Sequence, residues 1–209
     1  MIIKGNKTVL FYGDSITDAN KSGVEGPVSS NTLGTAYVGL INSMIINNYP
    51  NHRLRVINQG ISGNTVLNLL NRFEDDVKPY KPNYIFILIG INDVRLRFHN
   101  EIYNTQLLYK EELEKLINKS LDITKDIILI SPFLIELNND DPIKKEVYQY
   151  VDEMKKLSEK YKLGFINIQE AFDNALKVLS PNHFTTDRVH LNLTGNMLVA
   201  NTIYNFITK

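Results

Sequence analysis

A serine at the end of the first apolar segment is the residue with the clearest potential for chemistry. The apolar residues 9–11 predict a buried strand, and Gly13-Asp14-Ser15 follows it closely. Gly13 allows a sharp turn that places Ser15 where a helix begins, near free backbone N–H groups that favour developing negative charge. A nucleophilic hydroxyl needs this setting, although the same residues are also typical of a turn in which Asp14 or Ser15 only caps a helix.

A candidate general base with its own carboxylate lies near the other end of the chain, in Asp187-Arg188-Val189-His190. Histidine is the usual base for a serine hydroxyl, and a carboxylate normally fixes its tautomer and orientation. The spacing lets a turn bring the Asp187 carboxylate against the His190 ring. A solvated turn is the alternative, and a metal site is disfavoured because no second ligand lies at compact spacing.

The remaining histidines have no carboxylate three positions before them, and we interpret them as surface or loop residues. They are His52, His99 and His183.

Two further motifs offer hydrogen-bond donors for an oxyanion. In residues 58–65, glycines allow a close backbone approach, so the N–H of Gly63 can point at a reacting group. In Gly90-Ile91-Asn92-Asp93, the side-chain amide of Asn92 offers a donor on a rigid support. Each motif is also typical of an ordinary turn or a helix cap.

Strand-like and helix-like segments alternate along the chain and position these motifs. The predicted strands are 8–12, 54–58, 84–89, 127–130 and 165–168. The predicted helices are 36–48, 66–76, 110–124, 142–161, 170–178 and 193–207. This alternation predicts a doubly wound parallel sheet, in which the first three motifs share one sheet edge and the fourth folds back over it. Two irregular segments at that edge, 19–34 and 95–106, are expected to shape a substrate pocket, with solvent-exposed connectors as the alternative.

Composition narrows the class of protein. The chain has 209 residues, 43% of them hydrophobic, which suits a single domain. Lys plus Arg and Asp plus Glu both number 23, so the composition implies no broad basic or acidic field, which disfavours nucleic-acid binding. The absence of cysteine excludes disulfides and thiol chemistry, and no apolar run approaches the roughly 20 residues of a membrane span. We expect a soluble cytoplasmic protein without nucleic-acid or membrane partners; the sequence leaves open whether it forms a homo-oligomer.

The four motifs, in this order, resemble those of the SGNH hydrolases of the GDSL esterase/lipase superfamily, from Phe11 through Ala200. The resemblance implies a flavodoxin-like three-layer α/β/α sandwich with a five-stranded parallel sheet, formed by residues 1–209 as one domain. It implies Ser15 as nucleophile, His190 as base and then acid, and Asp187 as the residue that orients it. The implied oxyanion hole comprises the backbone N–H groups of Ser15 and Gly63 and the amide of Asn92. No metal or organic cofactor is required.

Within that superfamily, the motifs are similar to those of bacterial acetylxylan esterases, which remove acetyl groups from xylose units of hemicellulose fragments. The resemblance implies a serine esterase that removes acetyl groups from an acetylated carbohydrate, with xylo-oligosaccharides and other acetylated sugars both open. Those enzymes carry tryptophans where Thr186 and Arg95 stand, and this chain has no tryptophan. Sugar stacking would then fall to Phe98, Tyr103 or Phe184.

Two other functions are compatible with parts of the pattern. A lysophospholipase or thioesterase would need an apolar channel, of which the polar segment 19–34 gives little sign. A flavin-binding module would use hydroxyls after the first strand, but Asp14 and Asp18 would repel the phosphate. It would also leave Asp187 and His190 unexplained.

We expect Asp14 to hold its turn through local hydrogen bonds.

Overall fold

A five-stranded, all-parallel sheet lies at the centre of the computed structural model, which describes residues 2–25, 31–98 and 106–209. The strands are β1 (Thr8–Gly13), β2 (Arg55–Gly60), β3 (Tyr84–Leu88), β4 (Ile127–Ile130) and β5 (Gly164–Ile166). Their order in the sheet is β2-β1-β3-β4-β5, and each neighbouring pair is parallel. Every residue of β3 is buried, as expected for a central strand covered on both faces.

Helices cover both faces of the sheet. They are α1 (Ser15–Asp18), α2 (Tyr37–Asn48), α3 (Val66–Asp76), α4 (Ile91–Phe98), α5 (Gln106–Leu121), α6 (Pro142–Tyr161), α7 (Ile168–Ala175) and α8 (Leu193–Thr208). Helices α2, α7 and α8 pack together as one layer, and α3, α4, α5 and α6 pack together as the other. The molecule is therefore a three-layer α/β/α sandwich, and the predicted fold class is confirmed.

The sequence predicted the type and order of the apolar helices and strands more accurately than the residues at which they begin and end. Helix α3 and strand β4 have their predicted bounds, whereas β5 is shorter than the predicted strand 165–168. It stops early because the Asn167 side chain caps α7 by accepting a hydrogen bond from the N–H of Glu170 at 3.1 Å. The prediction of an irregular segment 95–106 was wrong at both ends, because α4 continues to Phe98 and α5 begins at Gln106. Its middle, like residues 26–30 of the other predicted loop, lies outside the described residues.

The ends of three strands bring the sequence motifs to one edge of the sheet. Gly13 at the end of β1 is in register with Gly60 of β2 and Leu88 of β3. A side chain at Gly60 would overlap the backbone of Asp18, so glycine there lets α1 lie directly on the strand ends. The same edge of the sheet consequently carries Ser15, the turn after β2 and the start of α4. In the parts of the chain that the structure describes, no helix is long and apolar enough to cross a membrane.

Candidate active site

A chain of hydrogen bonds joins the predicted nucleophile to the predicted base and its carboxylate. Ser15 Oγ lies 3.1 Å from His190 Nε2, although the two residues are 175 positions apart. On the other side of the ring, His190 Nδ1 lies 2.5 Å from Asp187 Oδ2. These contacts have the geometry by which a histidine accepts a serine proton while a carboxylate fixes its ring.

The turn from Asp187 to His190 is closed by the Asp187 side chain. Its Oδ1 accepts hydrogen bonds from the N–H groups of Val189 at 3.0 Å and His190 at 2.7 Å. The buried hydroxyl of Thr185 lies 2.8 Å from the His190 carbonyl and 3.2 Å from Asp187 Oδ1. A carboxylate separated from its histidine by only two residues can therefore fold back onto the ring. Sequence reasoning missed Thr185, whose position two residues before Asp187 is the only sequence signal for its role.

The charge of Asp187 is favoured by these contacts. Partial burial acts to raise the pKa of this carboxyl, but several hydrogen bonds oppose it. They come from the His190 ring and from the backbone N–H groups of Val189 and His190, and they hold the pKa of Asp187 well below its ordinary value. Asp187 is consequently ionised at any pH near neutrality, as a residue that orients a histidine must be.

Ser15 is the first residue of α1, as the sequence predicted, and Asp14 caps that helix. Asp14 Oδ1 accepts a hydrogen bond from the N–H of Ile16 at 3.0 Å, which confirms that Asp14 holds its turn locally. The side chain is fully buried, and its Oδ2 has no hydrogen-bond partner among the residues with described positions. Burial raises the pKa of Asp14 to about 7, against the opposing effects of the Ile16 N–H and the charge of His190.

The three predicted oxyanion donors lie on segments that follow three adjacent strands. Gly63 has a φ of +81°, in the left-handed region that favours glycine. Across the described ranges, the N–H groups of Ser15 and Gly63 donate no hydrogen bond within the protein. Asn92 Nδ2 donates to the carbonyl of Asn64 at 2.9 Å, which fixes the amide beside the Gly63 turn and leaves its second hydrogen for a ligand.

Two carboxylates stabilise the Gly63 turn through hydrogen bonds. The sequence did not predict that they belong to the site. Asp18 Oδ2 accepts hydrogen bonds from the hydroxyl of Ser62 at 2.7 Å and from its N–H at 3.1 Å. Asp93, fully buried, accepts the N–H of Val66 at the start of α3, with its oxygens at 3.1 and 3.3 Å. Burial raises the pKa of Asp93 to about 7. The charge of Asp14 acts in the same direction, with a smaller effect.

A cavity of about 240 Å³ opens beside Ser15 and His190. Among the described residues, the others that line it are small, apolar or uncharged polar: Ile16, Ala19, Asn20, Thr35, Ala36, Ser62, Leu191 and Asn196. A small ester fits this volume, and the amide and hydroxyl groups can bind its polar substituents. Among the described residues, no group of three or more acidic, histidine or cysteine side chains is arranged to hold a metal ion.

The aromatic residues predicted for sugar stacking have different positions. Phe184 is only 2% exposed and packs edge-on against Phe172 in the core, so its prediction as a stacking residue was wrong. Phe98, at the end of α4, is 42% exposed. Tyr103 lies outside the described residues.

The other predicted histidines stand apart from the Ser15–His190 contact. His183 is exposed and interacts with Ser180, and the partly buried His52 packs against Tyr49. His99 lies outside the described residues. None of the described histidines other than His190 contributes to the cavity beside Ser15.

A serine, a histidine and an aspartate in contact at the carboxyl edge of a doubly wound α/β sheet form the arrangement that is typical of hydrolases with a serine nucleophile. The model of the GDSL-like lipase/acylhydrolase family matches residues 11–198. The chain belongs to this family and is a carboxylic ester hydrolase, which confirms the resemblance found in the sequence.

Individual relatives agree with this assignment. The chain is 38% identical over 204 residues to an acetylxylan esterase of Geobacillus stearothermophilus, covering 96% of this chain and 93% of that enzyme. The crystal structure of Axe2, an acetylxylan esterase from the same organism, matches with a TM-score of 0.94 at 38% identity, covering 100% of this chain and 97% of that chain. LAE5, an alpha/beta hydrolase enzyme from the metagenome of Lake Arreo, Spain, matches with a TM-score of 0.94 at 33% identity, covering 100% and 99%.

Proposed function

We propose that this protein is a serine esterase that removes acetyl groups from an acetylated carbohydrate, with acetylated xylo-oligosaccharides as the first candidates, through an acyl-Ser15 intermediate. The observation that carries the proposal is the contact of Ser15 Oγ with His190 Nε2 at 3.1 Å, beside a small cavity. The similarity to an acetylxylan esterase over nearly the full chain supports the substrate class.

The related enzyme supports the assignment of the three residues. Catalytic mutants of Axe2, in which a serine, an aspartate or a histidine is replaced by alanine, are among the structures that match this chain. The aspartate and histidine of those mutants are three positions apart, as Asp187 and His190 are here.

In the proposed acylation step, Ser15 Oγ attacks the acetyl carbonyl while its proton passes to His190 Nε2. Asp187 stabilises the imidazolium that forms, through its contact with Nδ1. The oxyanion is bound by the N–H groups of Ser15 and Gly63 and by the free amide hydrogen of Asn92. The intermediate collapses, the C–O bond to the sugar breaks, and His190 returns the proton to the departing sugar hydroxyl.

In the deacylation step, a water molecule loses a proton to His190 and attacks the acetyl-Ser15 ester. The second tetrahedral intermediate uses the same donors and releases acetate, while His190 reprotonates Ser15 Oγ. Each step uses side chains and backbone N–H groups of this protein, together with water.

The dimensions and chemistry of the cavity favour a short acyl group on a polar alcohol. Its volume of about 240 Å³ is small for a long acyl chain. Asn20, Thr35 and Asn196 line it and can form hydrogen bonds with sugar hydroxyls. Of the three aromatic residues predicted for stacking on a sugar ring, Phe98 is the described one that is exposed.

Acetate release from a panel of acetylated xylo-oligosaccharides, acetylated chitin fragments and simple sugar acetates tests the proposal. Rates on acetyl and octanoyl esters of one alcohol are measured in parallel. We expect the acetyl ester to be preferred and Ser15→Ala to lose nearly all hydrolysis and all labelling by a fluorophosphonate. Wild-type hydrolysis by Ser15→Ala would reject the mechanism, and preference for the octanoyl ester would reject the acetyl assignment.

A further inference from the structure

Arg188, in the middle of the turn between Asp187 and His190, has an unusual backbone conformation. Its φ is +75°, in the left-handed region that glycine enters readily and that residues with a Cβ rarely adopt. The turn needs this conformation because the N–H groups of Val189 and His190 must both point back at Asp187 Oδ1. The strain at Arg188 therefore requires contacts that hold it.

The side chain of Arg188 provides such contacts with the segment that connects β4 to α6. Its Nη2 lies 3.0 Å from Glu136 Oε2 and 2.7 Å from Asp141 Oδ2. The backbone adds a further link, because the carbonyl of Arg188 accepts a hydrogen bond from the N–H of Ile135 at 2.9 Å. The side chain and the backbone carbonyl of Arg188 therefore both bind to the same connecting segment.

That segment is a rigid support. Asp141 caps α6, since its Oδ1 accepts the N–H groups of Ile143 at 2.9 Å and Lys144 at 3.0 Å. Its pKa is lowered although burial acts to raise it, because the Lys144 N–H and the Arg188 guanidinium stabilise the charged form. Arg188 is thus tied to the first turn of a 20-residue helix.

The His190 ring itself has little else to hold it. Its side chain is 53% exposed, so packing contributes little to its orientation. The position of Nε2 relative to Ser15 depends on the backbone turn and on the Asp187 contact. A small displacement of a reacting group can cost a large factor in rate.

We propose that Arg188 is a positioning residue, whose ion pairs with Glu136 and Asp141 hold the Asp187–His190 turn so that His190 stays within reach of Ser15. The inference rests on the proposed function, since it assigns Arg188 to the same reaction. In this role Arg188 acts through His190 and does not contact the substrate.

The variant Arg188→Gly tests this role, because glycine adopts the left-handed conformation while the guanidinium is removed. We expect kcat on an acetyl ester to fall about tenfold with KM unchanged. The thermal midpoint should stay within about 4 °C of wild type, because a partly exposed ion pair adds little stability. Arg188→Lys, which restores a cation on a flexible stem, should recover part of kcat.

Three further variants separate positioning from a general effect of surface charge. The double variant Glu136→Gln/Asp141→Asn keeps a helix-capping side chain and should reproduce the loss in kcat. Its combination with Arg188→Gly should add less than a further twofold loss. Lys145→Gln removes a neighbouring exposed ion pair, with Asp140, and should leave kcat unchanged.

Wild-type kcat in Arg188→Gly, or a change in KM alone, would overturn the inference. The rate at which a fluorophosphonate labels Ser15 gives a second readout that needs no ester substrate, and it should fall in parallel with kcat. If wild-type protein releases no acetate from any ester, the proposed function fails. An equal labelling rate for wild type and Arg188→Gly rejects only the role of Arg188.

Discussion

The Asp18 carboxylate accepts both hydrogen bonds that Ser62 can donate, from the hydroxyl at 2.7 Å and from the N–H at 3.1 Å. Asp18 is the last residue of α1, which begins with Ser15, and Ser62 directly precedes Gly63. The contact therefore joins the helix of the proposed nucleophile to the turn of a proposed oxyanion donor. Burial acts to raise the pKa of Asp18, but the hydrogen bonds from Ser62 and the charge of Lys21 leave it lowered.

Replacing Asp18 by asparagine should loosen this connection. The amide cannot accept both hydrogen bonds as strongly as the carboxylate, so we expect kcat on an acetyl ester to fall about tenfold because the oxyanion turn is less well fixed. Steady-state kinetics of Asp18→Asn measure the effect. Ser62→Ala is the matched control, since it keeps the N–H contact and should lose less. Equal kcat in wild type and Asp18→Asn would show that the turn is rigid without this contact.

Asn92→Ala tests the side-chain donor of the proposed oxyanion hole. Loss of one such donor typically lowers kcat by roughly 10²–10³, or about 2.7–4 kcal/mol, and we expect this range here. KM should change little, because the oxyanion exists only in the transition state and intermediates. The thermal midpoint of the variant serves as the control, since Asn92 also bonds to Asn64. A loss of only twofold in a folded variant would remove Asn92 from the oxyanion hole.

The fold was predictable where the apolar pattern is continuous. Strand β3 is uniformly apolar and buried on both faces, so its identity follows from its sequence alone. Helix α4 was not predicted because Gly90-Ile91-Asn92-Asp93 looks like a turn. The start of the helix is stabilised by a contact with a distant part of the chain. Asp93 at that start accepts a hydrogen bond from Val66, 27 residues earlier in the chain.

The site was predictable in residue types but not in its supports. The contact of Ser15, Asp187 and His190 could be predicted because their residue types and their positions after a strand or in a short turn are distinctive. The partners of Arg188 and Asp18 could not, since an ion pair or hydrogen bond between distant segments leaves no local pattern. Phe184 shows the opposite error: an aromatic residue beside the histidine motif was predicted for stacking, but its ring is part of the core.

Asp187→Asn tests the residue that orients His190. The amide can still accept the N–H groups of Val189 and His190, so the turn should survive. It can also stabilise the wrong tautomer of the ring, and loss of about 10⁴ in kcat is expected by analogy with other serine hydrolases of this geometry. Circular dichroism and the thermal midpoint verify folding. Retention of one tenth of wild-type kcat would be incompatible with the proposed role of Asp187.

The buried carboxyls Asp14 and Asp93 should make the protein less stable as the pH rises towards 7. Burial raises the pKa of each from 3.8 to about 7. Between these values the folded state keeps protons that the unfolded state has released. The free energy of unfolding contributed by these groups is therefore greatest below about pH 4 and is lost as pH rises through about 7.

Asp14→Asn should flatten this dependence, because the amide stays neutral and its oxygen can still cap α1 through the N–H of Ile16. We expect the wild-type thermal midpoint to fall from pH 5 to pH 8 and the fall to be smaller in Asp14→Asn. Asp140→Asn is the matched control. Asp140 is exposed, and its contact with Lys145 lowers its pKa, so it is ionised throughout this range and its replacement should leave the slope unchanged. Equal slopes in wild type and Asp14→Asn would mean that Asp14 is ionised in the folded protein at pH 5, because only a carboxyl protonated there can produce the predicted difference.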